Sequence, residues 1–151
     1  MGLNELPSQV VITEVGPRDG LQSYPAFIST QKKIQILENL LDAGLKHIQI
    51  TSFVNPQKVP QFKDAEDIVG VFRDSDLVLT VLVLNKKGLD RAISAGARGV
   101  ELSISASDEF SVKNTGMSKK RFYKELTGYV KKSLKKIECI LEEVFNVVLA
   151  I

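Results

Sequence analysis

The sequence predicts an α/β fold with parallel strands, the N-terminal half of a (β/α)8 barrel carrying about four βα units, and three observations support this. Strand-like and helix-like segments alternate from Val10 into the 130s. Parallel strands need crossover helices, so such alternation implies a parallel sheet. Leu77 to Leu84 is a continuous apolar run, the pattern of a strand covered on both faces. Two strand-like segments also alternate in a way that suits a polar lumen. Val100, Leu102 and Ile104 would face helices, with Glu101, Ser103 and Ser105 facing inward. Ile48 and Ile50 would likewise face out, leaving His47, Gln49 and Thr51 inside.

Each element has a local reason. Val10 to Val15 is a β-branched run and the first expected strand. Thr30 to Ala43 places Ile34, Leu37, Leu40 and Leu41 at helical spacing, and Gly44 is a natural stop. His47 to Ser52 is a second strand and Asp64 to Phe72 a second helix. After the strand Leu77 to Leu84, Asn85 can cap a third helix that ends near Ala95, with Gly96 as its stop. Gly99 to Ile104 is the fourth strand, and Ser118 can cap a fourth helix running into the 130s.

An open doubly wound sheet fits the same order of elements. A dinucleotide-binding sheet, however, favours a Gly-rich turn after its first strand. Here that turn is Gly16-Pro17-Arg18-Asp19-Gly20, and its proline lacks a backbone donor that a phosphate cradle would use. The barrel is therefore preferred. A complete barrel needs eight strands and about 250 residues, so the 151 residues are read as half of one. The expected divisions are an extension over 1–9, a partial barrel over 10–137 and a divergent tail over 138–151.

Composition narrows the function classes. With 44% hydrophobic and 25% charged residues the chain is globular, and a net charge of +2 argues for neither nucleic acid nor a membrane surface. Lys131, Lys132, Lys135 and Lys136 read as a solvated helix face. No apolar run approaches the roughly 18 residues of a membrane span, and residues 1–9 lack a signal-like apolar region. The single cysteine, Cys139, excludes an internal disulfide, so a cytoplasmic location is expected.

Barrel enzymes carry reactive groups just beyond the C-terminal ends of their strands, where Arg18 and Asp19 fall. Asp19 can offer a carboxylate oxygen to a hard divalent cation. Arg18, a permanently charged multi-donor group, can hold a substrate oxygen or a developing enolate. The plainer alternative is a salt-bridged turn with Gly20 at positive φ. His47, the only histidine, reads as buried and hydrogen-bonded, and Cys139, Phe122, Tyr123 and Tyr129 as packing residues.

The longer pattern Val15-Gly16-Pro17-Arg18-Asp19-Gly20-Leu21-Gln22 resembles the first loop of the 3-hydroxy-3-methylglutaryl-CoA (HMG-CoA) lyases, metal-dependent TIM-barrel enzymes. Further stretches agree in order: Ala43-Gly44-Leu45, Thr51 to Pro56, Val59-Pro60-Gln61, Leu84 to Gly88, Ala95-Gly96-Ala97, and Ala106-Ser107 with Phe110 and Lys113-Asn114. Leu21 favours the lyase branch over related synthases, which carry glutamate there.

The resemblance implies cleavage of HMG-CoA into acetyl-CoA and acetoacetate, or of a related longer-chain acyl-CoA. It implies Arg18 as the arginine that stabilises the enolate of the departing acetyl-CoA, Asp19 as a ligand of Mg²⁺ or Mn²⁺, and Gln22 near the substrate. It places Gln49 where the family carries a glutamate in strand two. Glutamine keeps the size and hydrogen bonds but cannot take a proton. The family's His-x-His pair, asparagine and reactive cysteine belong to later strands, which this sequence does not include.

The resemblance ends in the middle 130s. Reading Glu138 to Ile151 through AT-rich codons shifted by one base yields Val-Tyr-Ile-Arg-Gly-Ser-Ile-Gln-Cys-Cys-Ile-Gly-Tyr, similar to the family's fifth strand. A frameshift is the expectation, and the nucleotide sequence beyond the Ile151 codon tests it. Two expectations about the chain itself follow. One is a non-catalytic remnant of the lyase. The other is a half-barrel that self-associates or aggregates through exposed strand edges.

Overall fold

The computed structural model describes residues 9–102 and 107–133. The expected extension up to Ser8, the end of the fourth strand at Ser103 to Ser105, Cys139 and the tail 138–151 lie outside them.

Three parallel strands form one sheet in the order β1 (His47–Ser52), β2 (Val78–Val83), β3 (Gly99–Leu102). The helices α1 (Thr30–Asp42), α2 (Ala65–Phe72) and α3 (Lys86–Ala95) follow one another across one face. This is the parallel α/β arrangement expected. Helix boundaries follow the expected punctuation. Ser29 caps α1 by accepting from the Lys32 N–H at 3.3 Å, and Gly44 follows at φ 91°. Asn85 caps α3 through the Gly88 N–H at 2.9 Å, and Gly96 ends it at φ 88°. Both glycines adopt left-handed backbone that L side chains resist.

The core lies between this helical layer and the sheet. Leu37 of α1, Ile68 and Val69 of α2, and Leu89 and Ala92 of α3 pack with Ile48, Ile50, Leu79, Val81 and Val83. The inward and outward faces of β1 are as the alternation predicts for Ile48, Gln49 and Ile50. Beyond Gln49 the register shifts. Gln49 pairs with Thr80 but Thr51 with Val81, so Ile50 is an extra residue and strict alternation stops before Thr51. Such bulges re-aim side chains near functional sites.

Two expectations need correction. The first strand, Val10 to Val15, is not a strand but a single parallel bridge between Glu14 and Ile48. Its two bonds, Glu14 N–H to His47 O at 2.9 Å and Gln49 N–H to Glu14 O at 2.8 Å, are ladder bonds. Among the described residues no strand flanks its other side, and Val10, Val11 and Ile12 are 77%, 68% and 75% exposed. A β-branched run without a second neighbour lacks the partners that would extend the ladder. In addition, the stretch around Phe110 is a short helix, α4 (Asp108–Thr115), rather than only a loop. Ser107 caps it, Asp108 and Glu109 favour its N-terminus, and Gly116 closes it at φ 76°. Helix α5 (Lys119–Ser133) then begins directly after Ser118, whose carbonyl accepts the Phe122 N–H at 2.9 Å.

Candidate active site

The turn Gly16–Gly20 winds more widely than an α-helix, with the Leu21 N–H reaching back to the Gly16 carbonyl. Pro17 fits its opening turn, where no backbone donor is needed, and is buried. The Arg18 and Asp19 N–H groups both return to the Val15 carbonyl, at 3.0 and 2.6 Å. This winding holds consecutive residues 18 and 19 beside the bridge to β1. Gly20 does not have positive φ, so that part of the plain turn reading fails. The salt bridge it foresaw is present, Arg18 Nη1 to Asp19 Oδ1 at 2.7 Å.

Arg18 does more than pair with its neighbour. Its Nε–H donates to Gln49 Oε1 on β1, and Gln49 Nε2 donates to Glu101 Oε2 on β3. The other Glu101 oxygen, Oε1, accepts the Thr80 hydroxyl from β2. The register explains the meeting, because Gln49, Thr80 and Gly99 pair across the sheet, with Glu101 two residues beyond Gly99. Gln49 is 2% exposed, the Arg18 side chain 17% and that of Asp19 65%. One buried amide thus joins a half-buried guanidinium to a carboxylate, with Asp19 left facing solvent.

Of the residues expected in the site, Arg18, Asp19 and Gln49 are therefore brought together. Gln22 lies exposed at the end of the turn, and no hydrogen bond among the described residues joins it to the network. Asn85 serves as the α3 cap. His47 is half-buried at the start of β1, where its carbonyl accepts the Glu14 N–H. Glu101 had been placed toward the lumen without a role, and Thr80 had not been singled out. The inward position of Glu101 was legible from alternation, whereas Thr80 lay within the run Leu77 to Leu84; their shared hydrogen bond needed the sheet register.

A second cluster fixes the segment that leaves the turn. Gln61, 5% exposed, donates from Nε2 to the Tyr24 and Ala26 carbonyls at 2.7 and 2.6 Å and accepts the Ile28 N–H at 3.4 Å. Beside it, Lys33 and Asp64 form a buried ion pair at 2.8 Å, with the Thr30 hydroxyl on the same carboxylate at 2.9 Å. One glutamine and one ion pair thereby tie residues 24–33 to the start of α2.

Asp19 is the acidic group of the network that faces solvent, and among the described residues no group of three or more His, Cys, Asp or Glu could hold a metal ion. A Mg²⁺ or Mn²⁺ ion needs about six oxygen ligands. The described residues do not by themselves constitute such a centre.

Comparison with known proteins agrees with the arrangement of the turn and strands. A family model described as HMGL-like matches residues 9–146. The mitochondrial hydroxymethylglutaryl-CoA lyase of Macaca fascicularis is 40% identical over 130 residues, covering 85% of this chain and 40% of its own length. The hydroxymethylglutaryl-CoA lyase YngG of Bacillus subtilis is 41% identical over 113 residues, 74% of this chain and 38% of its own. A solved HMG-CoA lyase from Acinetobacter baumannii, in complex with coenzyme A and 3-methylmalate, superposes with a TM-score of 0.77 at 35% identity. It covers 83% of this chain, which in turn covers 42% of that structure. The chain thus spans about two fifths of the length of the relatives it matches. Its sheet and helices correspond to the N-terminal part of their TIM barrels.

Proposed function

The chain belongs to the HMGL-like family, whose relatives here are carbon–carbon lyases, and from that premise we propose that it carries the arginine part of an HMG-CoA lyase site. The observation that supports this reading is the part-buried contact between Arg18 and the buried Gln49 at the mouth of the first turn. An arginine oriented by a neutral amide has its charge offset, among the described residues, only by the solvent-facing Asp19 carboxylate. It can then stabilise the enolate that develops as acetyl-CoA departs from acetoacetate.

Each residue has a distinct part in the proposal. Arg18 binds the substrate oxygen and the developing charge. Gln49 aims Arg18, and its amide cannot itself take a proton. Asp19 offers one ligand to Mg²⁺ or Mn²⁺, and Gln22 lies toward the substrate. The metal, when bound, polarises substrate oxygens. The described residues do not complete its coordination, so no step is derived through it. Acyl-CoA is the substrate class, with HMG-CoA favoured over longer-chain analogues by the relatives' names. A cytoplasmic location is part of the same reading. Among the described residues no helix is long and apolar enough to cross a membrane.

Turnover is proposed to need ligands beyond those described here, so the 151-residue chain alone is read as inactive. The exposed Val10, Val11 and Ile12 favour a companion reading, a half-barrel that self-associates through this edge. A chimera tests the site reading. Residues 9–102 are placed into the Bacillus subtilis lyase in place of its matching stretch, and acetoacetate release is followed with Mg²⁺. Activity should be retained and fall about 100- to 1,000-fold with Arg18→Gln, the usual loss for a charge-stabilising donor. A folded chimera indifferent to Arg18 would refute the assignment.

A further inference from the structure

We propose that Glu101 is the positioning residue of the arginine site, setting through Gln49 the direction in which Arg18 points. The proposal rests on the reading of Arg18 as the substrate-binding charge and adds a residue on β3 to it.

A side-chain amide has two unlike ends. Gln49 has one oxygen, which only accepts, and one NH₂ group, which only donates. In a buried position, rotating the amide by half a turn exchanges these ends. The two orientations differ little in shape but greatly in energy. Here the guanidinium lies on one side, and its Nε–H donates to Oε1. The Glu101 carboxylate lies on the other side and accepts from Nε2. Reversal would set N–H against N–H at Arg18 and oxygen against oxygen at Glu101. Each of these part-buried groups would then lose its hydrogen-bond partner.

Arg18 supplies one half of this discrimination and Glu101 the other. The Arg18 Nη1 is held by Asp19 at 2.7 Å in a pair whose carboxylate is 65% exposed, so water competes for that contact. Glu101 is better placed to act as the fixed end. It sits on a strand, and its second oxygen is occupied by the Thr80 hydroxyl from the neighbouring strand β2. Carboxylate, amide and guanidinium therefore form a chain of hydrogen bonds anchored in the sheet and ending at the turn. The bulge after Gln49 supports this arrangement, since the ladder is regular up to the Gln49–Thr80 pair and shifts only beyond it.

Charge matters as well as geometry. The groups facing Gln49 are Arg18 from the turn and Glu101 from β3. Asp19 stands on the far side of the guanidinium and Thr80 beside the carboxylate. A cation and an anion at opposite ends of one amide both favour the same orientation of its dipole. The Glu101 oxygen thus acts on Arg18 without touching it.

The test is nuclear magnetic resonance on the ligand-free 151-residue chain, read at the Arg18 Nε–H and the Gln49 side-chain NH₂. In the unaltered chain the Gln49 amide protons should show contacts to the Glu101 γ-protons and the Thr80 methyl, and none to the Arg18 δ-protons. The reverse pattern overturns the proposal without any variant. Glu101→Leu should speed solvent exchange of the Arg18 Nε–H at least tenfold. Glu101→Gln, which retains an oxygen acceptor, should restore it to within about threefold of the unaltered chain. A folded Glu101→Leu chain whose Arg18 Nε–H exchanges at the unaltered rate also overturns the proposal. A packing role alone would not predict rescue by glutamine. Because no substrate is present, failure of the lyase reading leaves this result standing, and failure here leaves the chimera result intact.

Discussion

Gln49 is the residue on which the geometry of the site turns. It is buried, neutral and hydrogen-bonded at both ends, and its two partners carry opposite charges. Replacing it by leucine of similar size would leave the Arg18 Nε–H and one Glu101 oxygen without their partner in a partly buried setting. Gln49→Leu should therefore destabilise the chain by about 2–4 kcal/mol, read as a lowered urea midpoint with unchanged slope. At this scale the sequence was a good guide to identity and a poor one to partnership. The motif around Arg18 and Asp19 named the charged pair, and strand alternation turned Gln49 and Glu101 the same way. What joins them is a pairing between β1, β2 and β3, a property of register that no single segment encodes. Gln22 shows the converse: it belongs to the motif, yet the turn leaves it exposed.

Among the elements, α2 holds its neighbours through two ion pairs of different character. At its start, Asp64 occupies the cap position but turns its carboxylate to Lys33 of α1, with both side chains nearly excluded from solvent, at 6% and 5% exposure. Farther along, Glu66 binds Arg91 of α3 at 2.7 and 2.9 Å, and Arg91 also donates to the Val54 carbonyl. The hydrogen bond from Arg91 holds the Glu66 carboxyl below its ordinary range, against a smaller opposing effect of burial. Its stabilisation is thus complete above the ordinary carboxylate range and fades as pH falls through the lowered value. The partly exposed pair is the weaker contributor. Asp64→Ala should be far costlier, about 3–5 kcal/mol, because it strands the Lys33 ammonium in the interior; thermal unfolding measures it. Helices α1 and α3 were legible because their caps and stops were printed in the sequence as Gly44, Asn85 and Gly96. Two elements were not. The β-branched run Val10 to Val15 has propensity but only one neighbour, so it stops at a bridge. Helix α4 is short and has no clear apolar stripe, and only Ser107 and Gly116 announced it.

For the molecule as a whole, the parallel sheet and its helical layer reproduce the N-terminal part of the lyase barrel. An edge bearing Val10, Val11 and Ile12 at more than two-thirds exposure is a surface that soluble monomers usually cover. If the chain associates through this surface, as proposed, light scattering should show species larger than the 16.7 kDa monomer, reduced when Val11 is replaced by lysine. The fold class was readable from alternating segments and the family from the motif around Arg18. The fate of the active site depends instead on how many ligands meet there. Asp19, as the proposed ligand, would supply one carboxylate to a centre that takes about six oxygens. The most direct measurement is acetoacetate release from HMG-CoA by the purified 151-residue chain with Mg²⁺ or Mn²⁺. The account predicts no release above the enzyme-free rate, and metal-dependent release that Arg18→Gln abolishes would contradict it.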